Sequence, residues 1–170
     1  YAHAVRVTEG KLEPGMGVRA RVDEARREAI ARAHTATHLL HHMLREVLGE
    51  HAVQSGSLVD ADRLRFDFAH FSALTAEERQ RIEDGVLVLA LEDAELMTQE
   101  MSLDAAREMG ATALFGEKYG DHVRVVQIGG FSKELCGGTH LAHAGAIGGF
   151  AIVSEGSIGA GLRRIEAVTG

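Results

Sequence analysis

The sequence predicts an α+β fold: a mainly antiparallel sheet with one long helix, preceded by a partial β-barrel remnant. Apolar residues recur with the period of a helix from Glu24 to Leu48, and they alternate with polar residues in several shorter segments. Hydrophobic residues make up 45% and charged residues 25% of the 170 residues, which is typical of a globular domain rather than of a disordered chain.

The first 24 residues are predicted to form a separate segment. His3–Thr8 and Gly17–Asp23 alternate in polarity and are predicted as strands, joined by a loop that contains Pro14. Because two strands are marginally stable alone, they are either the remnant of a small barrel or pair with the rest of the sheet. We therefore expect a partial β-barrel segment at residues 1–24 and a second domain at residues 25–170.

The long helix is predicted to end at Gly49, since glycine favours a helix C-terminus. Its apolar stripe consists of Ile30, Ala33, Thr37, Leu40, Leu44, Val47 and Leu48. The alternating segments Ser57–Val59 and Leu64–Phe68 follow, separated by a short turn, and predict a hairpin.

A second helix is predicted to begin after Thr75, because Thr75-Ala-Glu-Glu78 has the spacing of a capping box, and to continue to about Asp93. The glycine-rich stretch from Gly129 to Gly149 is predicted to be irregular. The remaining elements are a short helix at Ser102–Met109 and strands at Met97–Met101, His122–Ile128, Ile147–Ser154 and Leu162–Val168.

Charge and cysteine content argue against several classes of protein. A formal charge of −7 is not the profile of a protein that holds nucleic acid by bulk electrostatics. The sequence contains neither a recognisable membrane span nor a signal peptide. The single cysteine, Cys136, excludes an internal disulfide and is typical of a reducing compartment, so we expect a cytoplasmic protein. Because the sequence starts at Tyr1, we also expect a piece of a longer protein.

Two short motifs predict a metal site. His34-Thr-Ala-Thr-His38 places two imidazoles on one helix face, close enough to reach one ion. Cys136-Gly-Gly-Thr-His140 adds a thiolate and a third imidazole, and its glycines let the backbone turn so that both ends face the metal. Three histidines and one cysteine suit zinc, so we expect zinc bound by His34, His38, Cys136 and His140.

His41 and His42 leave a second assignment open. His42 is also four residues from His38, and all these side chains flank the apolar stripe, so helical spacing alone does not select the ligand pair. The pairing of the only cysteine with a histidine four residues later favours the first assignment. Four protein ligands form a closed site, which favours positioning of substrate over activation of water by the metal.

Both motifs closely resemble the editing domain of alanyl-tRNA synthetase and its free-standing relatives. The resemblance covers roughly residues 27–170, with the family's order and spacing also in Gln54-Ser-Gly-Ser57-Leu-Val, Leu64-Arg-Phe-Asp-Phe68, Ala113-Leu-Phe-Gly-Glu-Lys-Tyr119 and Gly161-Leu-Arg-Arg-Ile-Glu-Ala-Val-Thr-Gly170. It implies an aminoacyl-tRNA deacylase (an ester hydrolase) that proofreads for an aminoacyl-tRNA ligase. The implied substrates are seryl- and glycyl-tRNA(Ala), and the implied partners are the acceptor end of that tRNA and other domains of the parent synthetase.

Such an activity has a physical rationale, because a synthetic pocket for alanine discriminates poorly against glycine and serine and a second site can remove the errors. Two alternatives remain. One is a threonyl-tRNA-synthetase-type editing domain, against which the Gly-Gly-Thr within the second motif counts. The other is a zinc-stabilised RNA-binding module without hydrolysis, and the acidic charge counts against autonomous RNA binding by such a module.

Two residues are candidates for substrate contact. The amide of Gln54 both donates and accepts hydrogen bonds, which suits a serine hydroxyl, and by position it matches a selectivity residue of the resembled family. Thr139 lies beside a predicted ligand and either contacts substrate or caps the turn, of which we favour the turn. No residue outside the metal site is assigned as a catalytic base.

Three basic residues are candidates for tRNA contact. Arg163 and Arg164 alternate on the last strand, so their side chains are expected on opposite faces of the sheet. One is expected to bind a phosphate or the terminal adenosine of tRNA, and the other to pair with a carboxylate such as Glu166. Lys118 is a weaker candidate for contact with the tRNA backbone.

Overall fold

The computed structural model of the protein describes residues 2–113 and 119–170, and the α+β class is confirmed. The elements are α1 (Glu24–Leu48), β1 (Gln54–Val59), β2 (Leu64–Ala69), α2 (Ala76–Leu91), β3 (Leu96–Ser102), α3 (Leu103–Glu108), β4 (His122–Ile128), β5 (Ser132–Leu135), a 3₁₀ turn (Ala144–Ile147), β6 (Phe150–Gly159) and β7 (Leu162–Thr169). None of the helices in these ranges is long and apolar enough to cross a membrane.

The strands form two antiparallel sheets instead of one. The larger has the order β1-β2-β7-β6, and the smaller has the order β3-β4-β5. Strand β5 lies inside the glycine-rich stretch that was predicted to be irregular. It is only four residues long, pairs with β4 from Val125 to Ile128, and is therefore defined by its partner rather than by its own pattern.

Helix α1 has the bounds that its periodicity predicts. Asp23 caps its first turn, with the carboxylate accepting a hydrogen bond from Arg26 N at 3.0 Å. It stops at Gly49, whose φ of 109° is unfavourable for residues with a Cβ. The predicted capping box at the start of α2 is also present, with Thr75 and Glu78 each accepting from the other's backbone N–H.

The core lies where α1 and α2 cover one face of the larger sheet and where β4 and β5 reach α1. Its largest fully buried side chains are Phe66, Phe68, Leu39, Leu40, Leu44, Leu64, Ile82, Ile128, Ile147, Ile152, Ile165 and Val86. A smaller cluster, Ala106, Val123, Val125 and Leu135, joins α3 to the other face of the smaller sheet. Helix α1 therefore runs through the main core, with both sheets in contact with it.

The strands predicted at His3–Thr8 and Gly17–Asp23 are not formed within residues 2–23, and the barrel remnant is not confirmed. Val5 is 70% exposed and Val18 is 76% exposed, so the apolar half of each alternating pattern has nothing to pack against. An alternating segment becomes a strand only when a neighbouring strand and a buried face are present. Neither is supplied to this segment by the described part of the chain.

Candidate metal centre

Four side chains converge at one point beside helix α1. One nitrogen from each of His34, His38 and His140 and the sulfur of Cys136 all lie within 4.8 Å of one another. Cys136 Sγ is 3.4 Å from His34 Nε2 and 3.2 Å from His140 Nε2. Donor atoms at these separations can surround a single ion of the size of zinc.

The two halves of the centre come from distant parts of the chain. His34 and His38 lie one helical turn apart on α1, with ring centroids 5.6 Å apart. Cys136 directly follows β5, and its backbone N–H donates to Arg124 O at 3.0 Å, which continues the β4–β5 ladder by one residue. His140 lies in the following loop. Its Nδ1 is 3.3 Å from the hydroxyl oxygen of Thr35 on α1, although the two residues are 105 positions apart in sequence.

The loop that carries Cys136 and His140 is held from both sides. Thr35 Oγ1 accepts a hydrogen bond from Leu141 N at 3.2 Å, which fixes the loop to α1. On the other side, Arg124 donates from Nη1 to Cys136 O at 3.2 Å and to Gly138 O. These contacts hold the glycine-rich turn in the conformation that directs both ligands to the same point.

A buried carboxylate lies behind His38. Glu134 Oε2 is 3.0 Å from His38 Nδ1, and Glu134 Oε1 is 3.2 Å from His41 Nδ1. Burial alone would raise the pKa of Glu134, but the neighbouring His38 and His41 outweigh it and hold that pKa well below its usual range. Burial likewise opposes the charged form of His38, but Glu134 prevails and raises the pKa of His38 to about 10 in the absence of a metal.

The residues present fit a zinc ion. Both ring nitrogens of His38 are buried without a hydrogen-bond partner in the described part of the chain, and since Nδ1 faces Glu134 at 3.0 Å, Nε2 is the nitrogen available to a metal. Burial disfavours the thiolate of Cys136, but hydrogen bonds from His140 and His34 prevail and lower the pKa of the thiol to about 3. Burial also lowers the pKa of His140, which favours the neutral, metal-binding form of its imidazole.

His41 and His42 are not part of the four-residue cluster. His41 Nδ1 is directed to Glu134, and its ring lies against Phe66 with centroids 5.4 Å apart. His42 is partly buried against Phe131. The structure thus brings together His34, His38, Cys136 and His140. His41 and His42 contact other side chains instead.

A cavity of about 440 Å³ opens beside His34 and Cys136, two of the four clustered side chains. Its volume falls in the range of small-ligand sites. It is lined by His34, Ser57, Tyr119, Gly120, His122, Val123, Arg124, Leu135, Cys136, Gly137 and Gly138.

The two predicted substrate-contact residues lie in separate cavities. Gln54 lines a cavity of about 260 Å³ that also includes His41 and Arg45. Its amide donates to Ser57 Oγ at 3.0 Å, and Ser57 lines the cavity beside the metal ligands. Thr139 lines another cavity, of about 270 Å³, against the start of α1.

Both predicted tRNA-contact arginines are paired with carboxylates. Arg163 Nε donates to Glu155 Oε1 at 2.5 Å, on the face of the sheet that carries Phe68. Arg164 lies on the other face and makes two hydrogen bonds of 2.7 Å to Asp67, so its partner is Asp67 and not Glu166. Lys118 lies outside the described residues, as does the segment 114–118.

Sequence reasoning missed Glu134, Thr35 and Arg124, which support the ligands without being ligands. Glu134 had a usable signal, because it lies two residues before Cys136 and residues two apart share a face of a strand. Using that signal requires that β5 be predicted as a strand, and the glycines on both sides of it instead predict an irregular segment. Thr35 and Arg124 act through contacts more than ten residues away in sequence, and no local pattern indicates them.

The chain is similar to known proteins over its whole length. It is 59% identical over 170 residues to an alanine–tRNA ligase of Acetivibrio thermocellus and 61% identical over 168 residues to one of Desulfitobacterium hafniense. These matches cover 100% and 99% of this chain but only 19% of each ligase, so the chain spans about a fifth of the length of these relatives. Residues 123–166 match the family described as "Threonyl and Alanyl tRNA synthetase second additional domain".

Proposed function

We propose that this chain, an alanyl-tRNA synthetase editing-type domain by its sequence similarity, is a deacylase that hydrolyses the ester of mischarged tRNA. One observation carries the proposal: three imidazoles and a sulfur converge in a cluster, two members of which, His34 and Cys136, line an open cavity of about 440 Å³. A ligand set placed only for stability has no need of such a cavity.

Zinc, when bound by His34, His38, Cys136 and His140, supplies positive charge at the rim of this cavity, which favours orientation of the substrate. The chain's own residues define the rest of the site. Arg124 holds the Cys136–Gly138 turn through its carbonyls, and Ser57 presents a hydroxyl to the same cavity. The lining of the cavity therefore includes polar groups suited to contact with an aminoacyl ester.

The substrates that we propose are seryl- and glycyl-tRNA(Ala). A cavity of about 440 Å³ has room for a small amino acid, and a serine hydroxyl inside it needs a hydrogen-bonding partner. Ser57 and Gln54 are joined by a hydrogen bond of 3.0 Å, so Gln54 acts on the cavity through Ser57. Thr139 lies in a different cavity, which favours a role in the turn.

The partner implied by this function is the acceptor end of tRNA(Ala), with other domains of a parent synthetase supplying further contacts. Arg164 is the better of the two arginines for a phosphate contact, because its side chain is 32% exposed and that of Arg163 is 13% exposed. We also propose that residues 25–170 form the deacylase domain and that residues 1–24 belong to a β-barrel completed elsewhere in a longer, cytoplasmic protein.

Release of labelled serine from Ser-tRNA(Ala) tests the function. We expect release by the zinc-loaded protein, little release from Thr-tRNA(Thr), and loss of activity in the Cys136→Ala, His140→Ala double variant. Preferential release of threonine would favour the threonyl-type alternative. Binding of Ser-tRNA(Ala) without any release, by the zinc-loaded protein and by a longer chain with its neighbouring domains, would contradict deacylation and favour an RNA-binding module.

A further inference from the structure

We propose that Glu134 is a positioning residue for the candidate metal centre. Its carboxylate holds His38 so that Nε2 of that imidazole would face a bound ion, and the carboxylate is itself held by His41 and Ser132. The inference rests on the metal site of the proposed function but does not depend on which tRNA is hydrolysed. It assigns a role to a buried cluster that binds neither the ion nor the substrate.

The geometry of the cluster is specific. Glu134 is 6% exposed and His41 is 3% exposed, so the carboxylate is removed from solvent and depends on protein partners. Oε2 lies 3.0 Å from His38 Nδ1. Oε1 lies 3.2 Å from His41 Nδ1 and accepts a hydrogen bond of 3.3 Å from Ser132 Oγ. Oε2 therefore contacts His38, while Oε1 contacts His41 and Ser132.

The contact to His38 decides which nitrogen is available to the metal. A carboxylate only accepts hydrogen bonds, so Glu134 Oε2, 3.0 Å from His38 Nδ1, favours the neutral tautomer that carries its proton on Nδ1. The lone pair of Nε2 is then free. Both ring nitrogens of His38 are buried without a hydrogen-bond partner among the described residues, and Nδ1 is the one that faces Glu134, so Nε2 is the nitrogen left for an ion. A carboxylate behind a ligating imidazole fixes both its tautomer and its ring orientation.

The other two partners keep the carboxylate in place. Without them, Oε1 would be a buried acceptor with nothing to bind and the side chain could rotate away from His38. Glu134 and Cys136 lie two residues apart, on β5 and directly after it, so both face α1. Glu134 thus connects β5 to His38 on α1, and an ion bound by His38 and Cys136 would link the same two elements a second time.

The test measures zinc affinity by competition with a chromophoric chelator in Glu134→Gln. A carboxamide has one acceptor and one donor, so it cannot accept from both histidines. We expect zinc affinity to fall by about 10- to 100-fold, the range found for partners behind metal ligands. Glu100→Gln, an exposed glutamate on the same sheet, is the matched control and should leave the affinity unchanged.

Two further readouts separate positioning from a general effect on folding. In cobalt-substituted protein, Glu134→Gln should change the ligand-field absorption of the ion, while circular dichroism of the metal-free protein stays like that of the parent. In a His38→Ala background, Glu134→Gln should have little further effect on affinity, since its target is missing. An unchanged zinc affinity and cobalt spectrum, or an equal loss of affinity with and without His38, would overturn the proposal.

If Glu134→Gln does not fold, His41→Gln decides the question, because it removes the imidazole that lies against Oε1 and leaves the carboxylate in place. We expect a smaller loss of zinc affinity together with a changed cobalt spectrum, and no change in either would overturn the proposal. All of these measurements use the metal alone. Absence of deacylation by the parent protein would therefore contradict the proposed function without affecting the role of Glu134.

Discussion

At the scale of the residue, Gly138 packs so closely against His34 that there is no space for a side chain at this position. A Cβ at this position would lie 1.8 Å from His34 Cε1 and 2.2 Å from its Nδ1, so any larger residue must displace a ligand. The neighbouring Gly137 has no atom within 4 Å of the corresponding position. Neither glycine has a positive φ, so the difference between them lies in space and not in backbone strain.

The first prediction follows from this difference. Gly138→Ala should weaken zinc binding by about tenfold or more, because His34 must leave its position, whereas Gly137→Ala should bind zinc like the parent. Chelator competition measures both. Equal affinities of the two variants would show that His34 does not need its present position to bind the ion.

The second prediction concerns Gln54 and the serine hydroxyl. Its hydrogen bond to Ser57 orients a hydroxyl that lines the cavity beside the ligands. Gln54→Ala should slow deacylation of Ser-tRNA(Ala) by about fivefold, the equivalent of about 1 kcal/mol for one neutral hydrogen bond, and should leave Gly-tRNA(Ala) nearly unaffected. Rates on the two substrates are compared. An equal decrease on both would exclude recognition of the hydroxyl.

At the scale of the element, β7 places two adjacent arginines on opposite faces of the larger sheet. Arg163 opposes Phe68 on the covered face of the sheet, and Arg164 opposes Asp67 on the open face. Each has a carboxylate partner, Glu155 for the former and Asp67 for the latter. The alternation of the strand therefore leaves the side chain of Arg163 13% exposed and that of Arg164 32% exposed.

The third prediction is that replacing these arginines has asymmetric effects. Arg163→Gln should lower thermal stability, because it leaves Glu155 largely buried without its partner. Arg164→Gln should instead weaken deacylation and reduce its salt dependence by about one released counterion. Kinetics across a salt series and thermal unfolding of both variants are the measurements. If both lose activity equally with an unchanged salt slope, Arg164 does not contact phosphate.

At the scale of the whole molecule, the cluster of three histidines and one cysteine joins α1 to the smaller sheet. His34 and His38 come from the helix, and Cys136 and His140 come from the end of β5 and the loop after it. Helix α1 also packs on the larger sheet, so an ion bound here would connect both sheets through one helix. Binding should therefore stabilise the entire fold and not only the loop.

The fourth prediction is that zinc raises the melting temperature. An ion bound only by the folded state at about 100 times its Kd adds about 2.7 kcal/mol, which corresponds to roughly 5–10 °C for a chain of this size. Thermal unfolding with and without zinc measures the shift. The Cys136→Ala, His140→Ala double variant should show almost none, and Mg²⁺ should have no effect on the parent protein. An equal shift by zinc in both proteins would place the ion elsewhere.

The sequence by itself determined the features that depend on neighbours along the chain. The bounds of α1, the capping box of α2 and the His34/His38 and Cys136/His140 pairs all arise from spacings of three or four residues, which the regular geometry of a helix or turn converts directly into proximity. The strands β2, β4 and β7 were predictable for the same reason, because side chains alternate along a strand.

Only the tertiary structure decided the features that depend on residues far apart in sequence. Glu134 meets His41 across 93 residues, and Arg164 meets Asp67 across 97. The division into two sheets and the absence of strands in residues 2–23 also depend on which surfaces are available to be covered. Local pattern cannot specify these outcomes, because a side chain's partner and a strand's neighbour are set by the packing of the whole chain.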